Sequence, residues 1–126
     1  MLRYIVKPND YKRVVLNGKS ILLTRDSSGV FRALENVCRH RGMELITKDQ
    51  EQSGNKALFV CPYHSWAYAS DGELMNVPFE EGFTNSDDVD LDNRNLIKLP
   101  AGERSGTLYV VSHPKPGTST IWLHRL

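Results

Sequence analysis

Apolar residues along the chain come in short runs, and turn-forming residues separate them. "YKRVVL" and "SILLTRD" flank Asn17-Gly18, a pair whose tolerance of positive φ predicts a two-residue hairpin turn. "VFRALEN" follows the turn signal Asp26-Ser27-Ser28-Gly29, "ALFVC" follows Ser53-Gly54-Asn55, and "WAYAS" meets "ELMNV" across Asp71-Gly72. Each reads as a strand bounded by turn chemistry. Toward the C-terminus "NLIKL", "TLYVVSH" and "TIWLHRL" are β-rich, and Gly102, Gly106 and the cluster of Pro114, Pro116 and Gly117 divide them. No window keeps a helical apolar period over about ten residues, so the chain is expected to be all-β, a small barrel or sandwich of antiparallel sheets.

Length, charge and termini narrow the picture. The 126 residues suit one domain over 1–126, since a domain of this size buries about two thirds of its unfolded surface. Sixteen Lys and Arg against fifteen Asp and Glu leave a net charge of +1, so no overall field favours nucleic acid or an anionic membrane. "MLRYIVKPND" lacks a secretory apolar run, and no stretch approaches the roughly 18 apolar residues of a membrane span. These features predict a cytoplasmic protein with no nucleic-acid or membrane partner. Six acidic residues between Glu80 and Asp92 read as a solvated loop in preference to a docking patch for a basic partner.

Only two cysteines are present, too few for a disulfide framework and more in keeping with metal or redox chemistry. Cys38 is followed at two residues by His40, and Cys61 at three residues by His64. Each pair follows an apolar strand segment, "ALENV" or "ALFV", and enters a loop. Two neighbouring strands could therefore bring two thiolates and two imidazoles to one tip. Zinc accepts such a set, but structural zinc sites usually draw Cys-Cys and His-His pairs rather than one of each per loop. A 2Fe-2S centre with two thiolates on one iron and two imidazoles on the other matches the mixed pairing better. His113 and His124 have no such company.

With those pairs in place, "LTRDSSGVFRALENVCRHRG" and "CPYHSWAYASDGELMNVP" resemble the Rieske domain of ring-hydroxylating oxygenase large subunits. The likeness runs over about residues 15–112 and includes Asn36, Arg41, Gly42, Pro62, Tyr63, Trp66 and Tyr68. It implies the Rieske fold, with small antiparallel sheets and a two-loop cluster-binding tip at about 37–45 and 60–68. It also implies a Rieske-type 2Fe-2S cluster, with Cys38 and Cys61 on one iron and His40 and His64 on the other. The chain lacks the second cysteine pair of the respiratory cytochrome-complex proteins. Ser65 stands where the family commonly has glycine, so either its Cβ crowds the loop or the backbone there does not need positive φ.

The family's large subunits continue into a domain whose mononuclear iron is held by two histidines and a carboxylate. No such set follows here. The resemblance therefore implies an electron-transfer protein without a complete catalytic site of its own. It would take one electron from a reductase or ferredoxin and pass it to an oxygenase iron on another chain or domain. Two alternatives stand beside it: the N-terminal Rieske part of an oxygenase large subunit, and a zinc-stabilised binding module. Trp66 and Tyr63 are expected to shield the cluster and pack the loop rather than carry electrons.

Overall fold

The computed structural model describes residues 5–39, 42–62, 65–76, 94–104 and 106–111, with the backbone of 121–125. The Asn17-Gly18 pair turns the chain between β1 (Asp10–Leu16) and β2 (Lys19–Arg25), with φ of 52° and 77° and Leu16 opposite Lys19. Both central residues are left-handed, as the twist of a tight hairpin requires. After β3 (Phe31–Glu35) come the short strands β4 (Ser53–Asn55), β5 (Leu58–Val60), β6 (Ala67–Ala69) and β7 (Leu74–Asn76). The chain continues with β8 (Lys98–Leu99), β9 (Ala101–Arg104), β10 (Thr107–Val111) and β11 (Ile121–Arg125). No helix occurs among the described residues, so none is long and apolar enough to cross a membrane. The acidic segment between Glu80 and Asp92, and His113, lie outside the described residues.

Three antiparallel sheets result, ordered β4-β1-β2-β3-β8, β11-β10-β9 and β5-β6-β7. Side chains alternate across a strand, and β2 uses both of its faces. Leu22 packs with Leu34, Phe59, Trp66 and Tyr68 on one side, while Ile21 and Leu23 pack with Phe31, Leu108 and Val110 on the other. The unbroken apolar run of "SILLTRD" follows from this position between two cores. The first core contains Cys38 and Cys61; the second joins the large sheet to β9-β10-β11.

Three expectations need correcting. Ser53-Gly54-Asn55 is not a turn but the edge strand β4, paired with β1 so that Gly54 faces Tyr11. Gly102 likewise lies inside β9, opposite Tyr109. In both places a tyrosine ring lies over the glycine: an added Cβ would come within 3.0 Å of Tyr11 and 2.5 Å of the Tyr109 hydroxyl. These glycines make room for a cross-strand ring rather than end a strand. Third, the strands leading into the two cysteine loops are not neighbours. β3 belongs to the five-stranded sheet and β5 to the small one, so the cysteines meet through the shared core.

Candidate metal centre

Each cysteine stands where a strand gives way to a loop: Cys38 follows the end of β3, and Cys61 follows β5 directly. Their exposures are 1% and 2%, and neither forms a disulfide. Two buried thiols in one apolar cluster, at paired loop mouths, fit the thiolate half of a mixed-ligand iron–sulfur site.

The loops close by the same hydrogen bonds. The Cys38 N–H donates to the Met43 carbonyl at 2.7 Å, and the Gly42 N–H donates to the Cys38 carbonyl at 2.9 Å. At the same offsets, the Cys61 N–H donates to the Trp66 carbonyl at 2.8 Å and the Ser65 N–H to the Cys61 carbonyl at 2.9 Å. The fourth residue after each cysteine is left-handed, Gly42 at φ 75° and Ser65 at φ 60°. This answers the question raised by Ser65: the backbone does need positive φ there. Serine supplies it against a Cβ–carbonyl clash of about 1–2 kcal/mol, whereas glycine meets it freely.

Polar groups at its base and from other strands hold the first loop. The side-chain oxygen of Asn36, which is wholly buried, accepts the Leu45 and Ile46 N–H groups at 3.0 and 3.1 Å. Its amide nitrogen donates to the Ile46 carbonyl at 2.7 Å and the Ser20 hydroxyl at 3.0 Å. Glu44 ties the returning arm to β1 through Arg13, whose Nε and Nη2 lie 3.0 and 2.9 Å from Oε2. The Tyr68 hydroxyl accepts the Arg39 N–H at 2.9 Å and lies 3.6 Å from the Cys38 Sγ. On the far side of the same residue, Arg94 Nη1 donates to the Arg39 carbonyl at 3.1 Å.

Tyr68 makes a contact with Cys38 that sequence reasoning missed. Burial first, and then the thiols of Cys38 and Cys61, hold its phenol above the ordinary value, against the opposing pull of the Arg39 N–H. The phenol therefore stays protonated. With its oxygen already accepting from Arg39, the hydroxyl can either donate to the Cys38 sulfur or accept from its thiol, whereas a thiolate there could only accept. Trp66, 2% exposed, packs in the core with both cysteines. His40, Arg41, Tyr63 and His64 lie outside the described residues.

Residues 3–99 match the family model described as the Rieske [2Fe-2S] domain. The chain belongs to that family. This Rieske domain is 36% identical over 113 residues to the large oxygenase component of salicylate 5-hydroxylase from Ralstonia sp, covering 83% of this chain and 26% of that one. It is 43% identical over 77 residues to the large oxygenase component of the naphthalene 1,2-dioxygenase system from Pseudomonas fluorescens, covering 61% and 16%. Among solved structures, naphthalene 1,2-dioxygenase with indole bound superposes at a TM-score of 0.73 with 31% identity, over 84% of this chain and 23% of that one. A quaternary ammonium Rieske monooxygenase in complex with L-carnitine gives 0.76 with 30% identity, over 90% and 31%. The Rieske domain thus spans about a third or less of these proteins. It is of the type carried by ring-hydroxylating oxygenase large subunits, its fold is all-β, and its cofactor is a Rieske-type 2Fe-2S cluster.

Proposed function

We propose that this chain is a one-electron carrier, reduced by a reductase or ferredoxin and oxidised by a mononuclear oxygenase iron on another chain or domain. Cys38 and Cys61 supply thiolates to one iron of the cluster, and His40 and His64 supply imidazoles to the other. The observation that carries this reading is the repeated hydrogen-bond frame around two thiols buried in one core. A bound cluster supplies a site that takes up and releases a single electron, at a potential raised by imidazole ligation relative to all-cysteine clusters. The protein's part is to keep both thiols out of water, to aim the Tyr68 proton at the Cys38 sulfur, and to hold the two loops at fixed spacing.

Stopped-flow absorbance tests the reading. Mixed with a reduced flavin-dependent reductase or ferredoxin, the loaded chain should bleach, and its colour should return when a mononuclear-iron oxygenase domain with substrate and oxygen is added. A chain that holds stoichiometric zinc without labile sulfide when purified from iron-replete cells would overturn it in favour of a zinc-stabilised module. The 16–26% share of the curated relatives favours a second reading, in which the domain serves as the Rieske portion of an oxygenase large subunit and the acceptor iron lies in the same polypeptide. A reading frame that continues into a two-histidine, one-carboxylate domain would separate the two.

A further inference from the structure

Arg39 lies between Cys38 and His40, and both of its backbone polar groups are taken from outside the loop. Tyr68 accepts its N–H and Arg94 donates to its carbonyl. Loop two reaches a similar end by covalent means, because the residue after Cys61 is Pro62, whose ring fixes φ near −65°. Arg39 has no such ring. Its N–H and its carbonyl are instead held by those two bonds.

Arg94 is well placed to supply one of them. The next residues are anchored: the Asn95 side-chain oxygen accepts the Leu74 N–H at 2.8 Å, the Leu96 N–H donates to the Gly72 carbonyl at 2.8 Å, and Leu96 is buried in the cysteine-bearing core. The guanidinium therefore reaches the loop from a fixed base. Among the described residues the ion pairs join Arg13, Lys19, Arg25 and Arg32 to carboxylates elsewhere.

We propose that Arg94 is a positioning residue of the cluster loop: bonded to the Arg39 carbonyl, its guanidinium fixes the backbone that sets the side chains of Cys38 and His40, and it adds a fixed positive charge behind them. The proposal rests on Cys38 and His40 being ligands. Reduction makes the cluster more negative, so a nearby cation favours the reduced state and its removal lowers the potential. Lysine keeps the charge and can still donate, but it loses the planar fork.

Wild type, Arg94→Gln and Arg94→Lys, each as the full chain loaded with cluster, are compared by redox titration, by the rate of cluster loss to a chelator, and by hydrogen exchange at the Arg39 amide. At the wild-type midpoint, Arg94→Gln should raise the ratio of oxidised to reduced cluster roughly fivefold and should speed both cluster loss and Arg39 exchange. Arg94→Lys should bring the ratio back to within about twofold of wild type. Identical titrations and identical Arg39 exchange in Arg94→Gln and wild type would overturn the proposal and leave the ligand assignment standing. A loaded wild-type chain without imidazole nitrogen couplings in its pulsed EPR spectrum would remove the assignment, and the proposal with it.

Discussion

Around Cys38 the loop is held by the Asn36 amide at its base and by two groups that arrive from far along the chain, the Tyr68 hydroxyl on the Arg39 N–H and the Arg94 guanidinium on the Arg39 carbonyl. Around Cys61 the same hydrogen-bond frame is flanked, among the described residues, by the ring of Pro62 and the buried indole of Trp66. Gly42 occupies the left-handed corner of the first frame and Ser65 that of the second. One loop thus takes its shape from long-range polar contacts with an unstrained corner. The other shows, among its described residues, a proline ring, a buried indole and a strained corner. The difference teaches that one backbone geometry can be specified in two ways, each with its own points of failure.

The largest expected effect does not distinguish the loops. Cys38→Ser and Cys61→Ser should each abolish the visible absorbance of the cluster and loosen the tip, because cluster binding and local folding are linked. A Cys61→Ser chain that stays folded and fully loaded would break the equivalence of the two frames. Asn36→Ala should come next, costing about 2–4 kcal/mol in urea unfolding, because it strands the Leu45 and Ile46 N–H groups in the interior. Hydrogen exchange should quicken in residues 42–46 and stay unchanged in 65–68.

Tyr68→Phe should cost about 1–2 kcal/mol by leaving the Arg39 N–H unsatisfied. It should also lower the midpoint potential, since a hydrogen bond to a ligand sulfur favours the more negative, reduced cluster. An unchanged potential would show that the phenol proton does not serve the Cys38 sulfur.

Acid provides a control outside both loops. Asp26 is buried, which raises its pKa, yet the Val30 N–H, the Arg32 side chain and the Ser28 N–H outweigh burial and hold it below the usual carboxylate value. A folded pKa below the unfolded one means that this stability is complete above about pH 4 and is lost as pH falls through the folded value. Asp26→Asn should flatten that part of the stability–pH curve measured by urea unfolding, without changing the loaded spectrum. The smallest effects carry opposite signs. Ser65→Gly should stabilise the protein by about 0.5–1 kcal/mol, and Gly42→Ala should destabilise it by about 1 kcal/mol. A Cβ on Gly42 meets nothing within 4 Å, so backbone strain alone is measured there.

Much of this was legible in the sequence where the determining interaction is local. Asn17-Gly18 announced its hairpin because both turn residues carry their own preference for positive φ. The mixed Cys-His pairs and the motifs around them were enough to indicate the family. What stayed hidden depends on partners distant in sequence. Gly54 read as a turn because Tyr11, whose ring it accommodates, lies across the sheet in β1. Tyr68 matched the motif, but nothing in its neighbourhood announced that its hydroxyl reaches the sulfur of Cys38, thirty residues earlier. The left-handed Ser65 was hidden for another reason: serine carries no preference for that region, and only the repeated frame around Cys61 requires it.

In the proposed centre, two loops with the same hydrogen-bond frame supply two thiolates and two imidazoles to one 2Fe-2S cluster. Pulsed EPR of the reduced, loaded chain tests it most directly, because nitrogen bound to iron is read from its hyperfine coupling. The account predicts couplings from two imidazole nitrogens in the wild type, with one lost in His40→Cys and one in His64→Cys. A reduced cluster with no strongly coupled nitrogen, or with couplings untouched by both substitutions, would contradict it.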